Sequence, residues 1–277
     1  MTRARVCAAR IARRVLLGAA AAAPLAAQNP FDRIRRAAQT AAAVGRTMLP
    51  ISTPKEIEIG RGIAATVAGR YRVVDDTALT RYVNLVGLAV AGEDPRSDIT
   101  YRFAVLETPV VNAFASPGGY VFITRGALDL IESESELAGV LAHEVGHVNR
   151  RHVIEQIRKS DTMRAVRDQV NVSGAVLDQV VGTGANALFT GLSRDDELQA
   201  DSLGFEYAAS AGYDPSGLAS FIARLDRHAG EGPVAELFAT HPRAAERLER
   251  LEQIAAQAGY QAGPTLTDRY QASVRHH

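Results

Sequence analysis

The stretch SESELAGVLAHEVGHV, residues 133–148, constrains this chain more than any other. Leu137, Val140, Leu141 and Val148 recur at the three- and four-residue spacings of one helix face, and Ser133 followed by Glu136 is the capping-box pattern that opens a helix. His143 and His147 stand four residues apart, one turn above each other and roughly 5–6 Å apart, so two imidazoles can share one tetrahedral metal. Glu144 lies one residue round the helix, placed to reach a water beside that metal without ligating it. Both histidines fall at the edge of the apolar stripe, where a metal site walled by core belongs. The plainer alternative is a pair of satisfied polar residues on a half-buried helix. In either case the fold needs this helix in its core, and a metal site needs a third ligand from elsewhere.

Spacing excludes one source of that ligand. A metzincin continues with glycine three residues beyond the second histidine and a third histidine six beyond it, but Arg150 and Val153 occupy those places and His152 is one residue out of register. The alternative is a carboxylate from another helix. SRDDELQAD, residues 193–201, carries Glu197 and Asp201 four apart on one face, behind Ser193 and Asp196 as capping residues. Glu197 could bind metal while Asp201 accepts a hydrogen bond from a ligand imidazole and fixes its tautomer. Spacing alone equally allows a solvated acidic face.

Charge and cysteine content narrow the remaining classes. The 31 basic and 31 acidic residues cancel, yet Arg3, Arg5, Arg10, Arg13 and Arg14 all precede residue 28, where there is no acid; setting them aside leaves −5. Such a body carries no electrostatic footprint for nucleic acid. Cys7 is the single cysteine, which excludes a disulfide scaffold and a cysteine-rich zinc ribbon. Residues 1–27 combine a basic start, an apolar run through Ala27 and small residues before Gln28, the layout of a secretory signal peptide. The run is too short, and interrupted by Pro24, to read as a bilayer span. Residues 28–50, with arginines among alanines, read as a linker or amphipathic helix able to touch a membrane surface.

Between Pro54 and Ala91 two helical patterns follow one another, the second with Leu79, Val83, Val86 and Val90 facing the core. Residues 99–106, 110–115 and 120–124 read as short strands, the last two flanking the turn Ser116–Pro117–Gly118–Gly119. Asn112, Ala113, Phe114 and Ala115 could offer a strand edge to an extended substrate or be plain core. Helices are expected over 133–159, most of 162–190, 194–211, 215–228 and 242–258. The apolar stretch 172–192 carries Asp178, Gln179 and Asn186, which argue against a membrane span.

Four stretches taken together, NAFASPGGYVFITRGAL, HEVGHVNRRH, SRDDELQAD and THPRAAERL, resemble peptidase family M48, the zinc metallopeptidases that include CaaX prenyl endopeptidases, a heat-shock membrane protease and periplasmic outer-membrane quality-control proteases. The resemblance spans about residues 51–258. It implies an α+β, mainly helical, zincin-like (gluzincin) domain with a small sheet over 51–260, followed by a tail over 261–277. It implies one Zn²⁺ held by His143, His147 and Glu197, Glu144 as general base and Asp201 behind the ligands. His241 is implied near the metal, either stabilising the oxyanion of the tetrahedral intermediate, the preferred role, or closing the fourth coordination position and keeping the site latent. The expected protein is an exported, periplasmic metalloendopeptidase acting on misfolded or envelope polypeptides, with membrane or outer-membrane protein association open. The competing expectation is a chaperone-like binder of unfolded envelope proteins with structural zinc.

Overall fold

The computed structural model describes residues 51–160, 174–228, 232–241 and 244–274. The expected export signal, the linker over 28–50, residues 162–173 of the helix expected over 162–190 and the first two residues of the helix expected over 242–258 lie outside the described residues. Helices α1 (Thr53–Arg70) and α2 (Thr77–Ala91) lead into strands β1 (Arg102–Leu106), β2 (Ala113–Ser116) and β3 (Tyr120–Thr124). Helices α3 (Arg125–Leu130), α4 (Glu134–Arg150), α5 (His152–Lys159), α6 (Gly174–Thr190), α7 (Arg194–Ser210), α8 (Ser216–Arg227), α9 (Ala235–Thr240), α10 (Ala244–Ala258) and α11 (Thr267–Val274) complete the chain. This is a mainly helical α+β fold around a three-stranded sheet. No described helix is long and apolar enough to cross a membrane.

The sheet has the order β1-β3-β2, with β1 parallel and β2 antiparallel to β3. Its side chains alternate between two cores, as the strand period requires. Phe103, Val105, Ala113, Ala115, Val121 and Ile123 join a large core with α2, α4, α7, α8 and α10. Leu106, Phe114 and Phe122 face a smaller core built on α1, α5 and α6. All four expected core positions of α2, Leu79, Val83, Val86 and Val90, are buried.

α4 is buried from Glu134 to Val148. Ser133 caps it by accepting from the Glu136 N–H, but the box is not reciprocated: Glu136 instead accepts from the Glu132 N–H and pairs with Arg224. The helix expected to run to residue 159 breaks at Arg151, which adopts φ 59° and ψ 32°. That left-handed step, uncommon for a residue with a Cβ, turns the chain into α5. The strand expected over 110–115 begins only at Ala113, because the Asn112 N–H bonds the Thr124 hydroxyl in place of a ladder carbonyl. The strand expected over 99–106 shortens to β1 because residues 96–99 form a turn.

Three short helices, α3, α9 and α11, were not separately expected. α11 belongs to the body: Tyr270 is fully buried, its hydroxyl donates to the Leu128 carbonyl, and Arg269 pairs with the buried Glu134.

Candidate metal centre

α4 and α7 share the most extensive contact of any two described helices, and two glycines permit it. A Cβ on Gly204 would lie 2.9 Å from the His143 N and 3.0 Å from its Cα; one on Gly146 would lie 3.1 Å from the Ala200 carbonyl oxygen. The approach carries Glu197, in the first turn of α7, under the two α4 histidines. Ser193 and Asp196 close a full capping box there, as the sequence suggested.

His143 Nε2 and His147 Nε2 converge to 3.0 Å, while Glu197 lies 3.6 Å from the first through Oε2 and 3.4 Å from the second through Oε1. Ligand atoms of a tetrahedral zinc, with bonds of about 2.0–2.1 Å, stand about 3.3 Å apart. His241, just after α9, places Nδ1 2.8 Å from Glu197 Oε2. One ligand atom from each of the four residues lies within 4.8 Å of all the others. Glu197 Oε1 is buried with no hydrogen-bond partner among the described residues. Burial alone would push the Glu197 carboxyl up, but His241, then His143 and His147, hold it well below the usual range. Burial keeps His147 in the neutral form that a metal requires. His143, which burial would lower, is instead held at about 9 by its hydrogen bonds to Asp201 and Glu197. Two imidazoles and a deprotonated carboxylate, one of whose oxygens is an orphaned acceptor, converge on one point and fit a divalent cation.

Glu144 is 2% exposed, and burial raises its carboxyl pKa. It stands outside the ligand cluster but lines both cavities that adjoin it. The larger adjoins His143; the smaller adjoins His147, Phe114 and Leu188. Ala113, Glu144 and His241 line both.

Behind the cluster, each α4 imidazole has a partner on its other nitrogen. Asp201 Oδ1 lies 2.9 Å from His143 Nδ1. Asp201 is itself gripped by Arg247, through Nε at 2.8 Å and Nη2 at 2.6 Å. His147 Nδ1 lies 2.8 Å from His152 Nδ1, whose Nε2 faces Asp196 Oδ1 at 3.5 Å. Sequence reasoning singled out neither Arg247 nor His152. Arg247 lies inside the THPRAAERL stretch, and in the sequence His152 reads only as an out-of-register ligand. Of the expected substrate strand, Ala113 lines both cavities, Asn112 the larger, and Phe114 and Ala115 the smaller.

The chain matches the family model "Peptidase family M48" over residues 78–255. It is 33% identical over 184 residues to the mitochondrial metalloendopeptidase OMA1 of Arabidopsis thaliana, covering 66% of this chain and 37% of that protein. It is 25% identical over 240 residues to the beta-barrel assembly-enhancing protease of Escherichia coli K12, covering 81% and 49%. Similarity to the Escherichia coli metalloprotease YcaL is 30% over 158 residues, covering 54% and 60%. This chain therefore belongs to peptidase family M48, whose metal is zinc. It spans about half the length or less of the first two of these relatives.

Proposed function

We propose that this chain is a zinc metalloendopeptidase, with His143, His147 and Glu197 as the ligands and Glu144 as the general base. The observation that carries the reading is Glu144 itself: a buried carboxylate on the ligand helix, excluded from the ligand set and opening into both adjoining cavities. A purely structural site has no use for such a group. When bound, zinc supplies Lewis-acid polarisation of a water and of the attacked carbonyl. Glu144 takes the proton of the water as its oxygen attacks the carbonyl carbon, then delivers it to the amide nitrogen, so that the C–N bond breaks to a carboxyl and an amine. His241 donates toward the oxygen on which negative charge develops. Asp201 and His152 hold the ligand rings, and Asn112–Ala115 line the path of an extended polypeptide.

The substrates are misfolded or envelope polypeptides met outside the cytoplasm. The support is the basic, then apolar, N-terminal sequence and the similarity to a protease named for β-barrel assembly. The arginine-bearing residues 28–50 fit a peripheral membrane contact, which flotation of a truncated chain tests.

The deciding experiment measures zinc per chain and casein cleavage together. Glu144→Gln keeps zinc and fold and loses cleavage, whereas His143→Ala, His147→Ala and Glu197→Gln lose zinc as well. Cleavage by Glu144→Gln at the parent rate would overturn the hydrolytic assignment; a zinc-loaded parent that binds casein without cutting it would favour the binder.

A further inference from the structure

The elbow between α4 and α5 is held by residues far from it in sequence. Glu56, in the first turn of α1, is fully buried and faces two guanidinium groups. Arg96 donates to both its oxygens, from Nη1 to Oε1 at 2.9 Å and from Nη2 to Oε2 at 3.0 Å, and Arg151 Nε lies 2.9 Å from Oε2. Each arginine also reaches a main-chain oxygen: Arg96 Nη1 donates to the Val148 carbonyl at 3.1 Å, and Arg151 Nη2 to the Ile51 carbonyl at 2.5 Å. Asp98 pairs with Arg96 Nε at 3.5 Å and accepts from the Thr53 hydroxyl at 2.6 Å. Residues 51–56 and 96–98 thus enclose the end of α4.

Burying a carboxylate requires a partner, and positive charge is favourable beside the last carbonyls of a helix. Arg96 meets both requirements by itself, since its two-pronged grip already neutralises Glu56. Arg151 is the additional partner, and it is the residue at φ 59°. Among the described residues only Leu266 shares a positive φ without being glycine. Such a conformation persists where the surroundings over-determine it. The Arg151 N–H closes on the His147 and Val148 carbonyls, while its side chain is held at Nε by the ion pair and at Nη2 by the hydrogen bond. The residue that follows it is His152, whose Nδ1 meets His147 Nδ1.

We infer that Glu56 is a positioning residue of the metal centre, acting through Arg151 to hold the left-handed elbow that sets His152 behind His147. A carboxylate from the start of the domain thereby supports a ligand imidazole that it does not touch. This inference rests on the metal centre of the proteolytic reading above, and its test separates the two.

Zinc affinity of the full-length protein is measured by chelator competition. Glu56→Gln, which keeps the shape and removes the charge, should bind zinc about tenfold more weakly, as expected for loss of support behind a ligand. Arg151→Met should do the same while leaving Glu56 paired with Arg96, so it carries the test if Glu56→Gln fails to fold. Arg151→Gly, for which φ 59° carries no steric penalty, should stay within about threefold of the parent. In a His152→Ala background, Glu56→Gln and Arg151→Met should each weaken zinc binding by less than about twofold further, because positions acting through one contact are not additive. A merely structural role would weaken it equally in both backgrounds. Parent-like affinity in Arg151→Met, an undiminished loss in the His152→Ala background, or Arg151→Gly as weak as Arg151→Met would overturn the inference while leaving proteolysis standing. The expected pattern in a parent that binds zinc and does not cleave casein would support the inference and sink the proteolytic reading.

Discussion

His152 presents Nδ1 to Nδ1 of His147 at 2.8 Å, so one ring must donate and the other accept. If His147 meets a metal through Nε2, its Nδ1 carries the proton, His152 accepts, and the His152 Nε2–H is left facing Asp196. The left-handed Arg151 makes this possible by turning the chain back under the end of α4. His143 reaches the same condition differently, through Asp201. Two ligand rings are therefore fixed in the same tautomer by a carboxylate on one side and an imidazole on the other.

Replacing His152 by alanine leaves His147 without its partner. Zinc affinity, measured by chelator competition, should fall about 10- to 100-fold, with the circular-dichroism spectrum unchanged. His152→Gln, which keeps an acceptor at that place, should recover part of the loss. Parent-like zinc affinity in His152→Ala would show that the contact does not orient the ligand.

Arg247→Ala takes the guanidinium from the buried Asp201 and leaves it His143 alone; removing one partner of a buried ion pair costs about 3–5 kcal/mol. Denaturant unfolding of the zinc-loaded protein should show a loss of that order. Arg247→Lys should recover little of it, because a single ammonium cannot reproduce the two-pronged grip.

His241→Ala separates two roles for one imidazole. As an oxyanion donor, its loss lowers kcat about 10²- to 10³-fold at nearly constant zinc content. As a latch closing the fourth position, its loss raises activity. Steady-state kinetics with zinc analysis on the same samples distinguishes them, and unchanged kcat with unchanged zinc would exclude both.

Gly204→Ala puts a methyl group within 3.0 Å of the His143 backbone. Forcing α7 off α4 should cost about 1–3 kcal/mol and draw Glu197 away from the histidines, so the loss of stability should come with weaker zinc binding. Gly212→Ala is a poor control, since Gly212 has φ 86°. Gly182→Ala, with open space around its Cβ position, should leave zinc binding unchanged.

The parts of the site legible in sequence are those whose geometry is local. A capped helix puts residues four apart on one face wherever it packs, so His143 with His147, and Glu197 with Asp201, could be paired before any tertiary structure was known. Arg247 depends on α10 meeting α7 across 46 residues, and nothing in its own neighbourhood distinguishes it from a surface arginine. His152 was hidden by a backbone event: an uninterrupted α4 would carry it round the helix, and only the left-handed Arg151 brings it behind His147. The helices α3, α9 and α11 have six to eight residues, too few for a hydrophobic period to show.

Dividing the interior into two cores sets how the molecule can loosen. His143, His147, Glu197 and His241 sit on or beside α4, α7 and α9, all rooted in the larger core, whereas His152 opens α5, whose Val153, Ile154 and Ile157 pack only into the smaller one. Sub-global opening proceeds by such cooperative units. An excursion that melts the smaller core would leave the four-residue cluster assembled but strip His147 of its partner and uncover the Phe114 and Leu188 side of the cleft. In native-state hydrogen exchange the amides of α5 and α6 would then exchange together and ahead of those of α4, tying the breathing of one half of the protein to the grip on metal in the other.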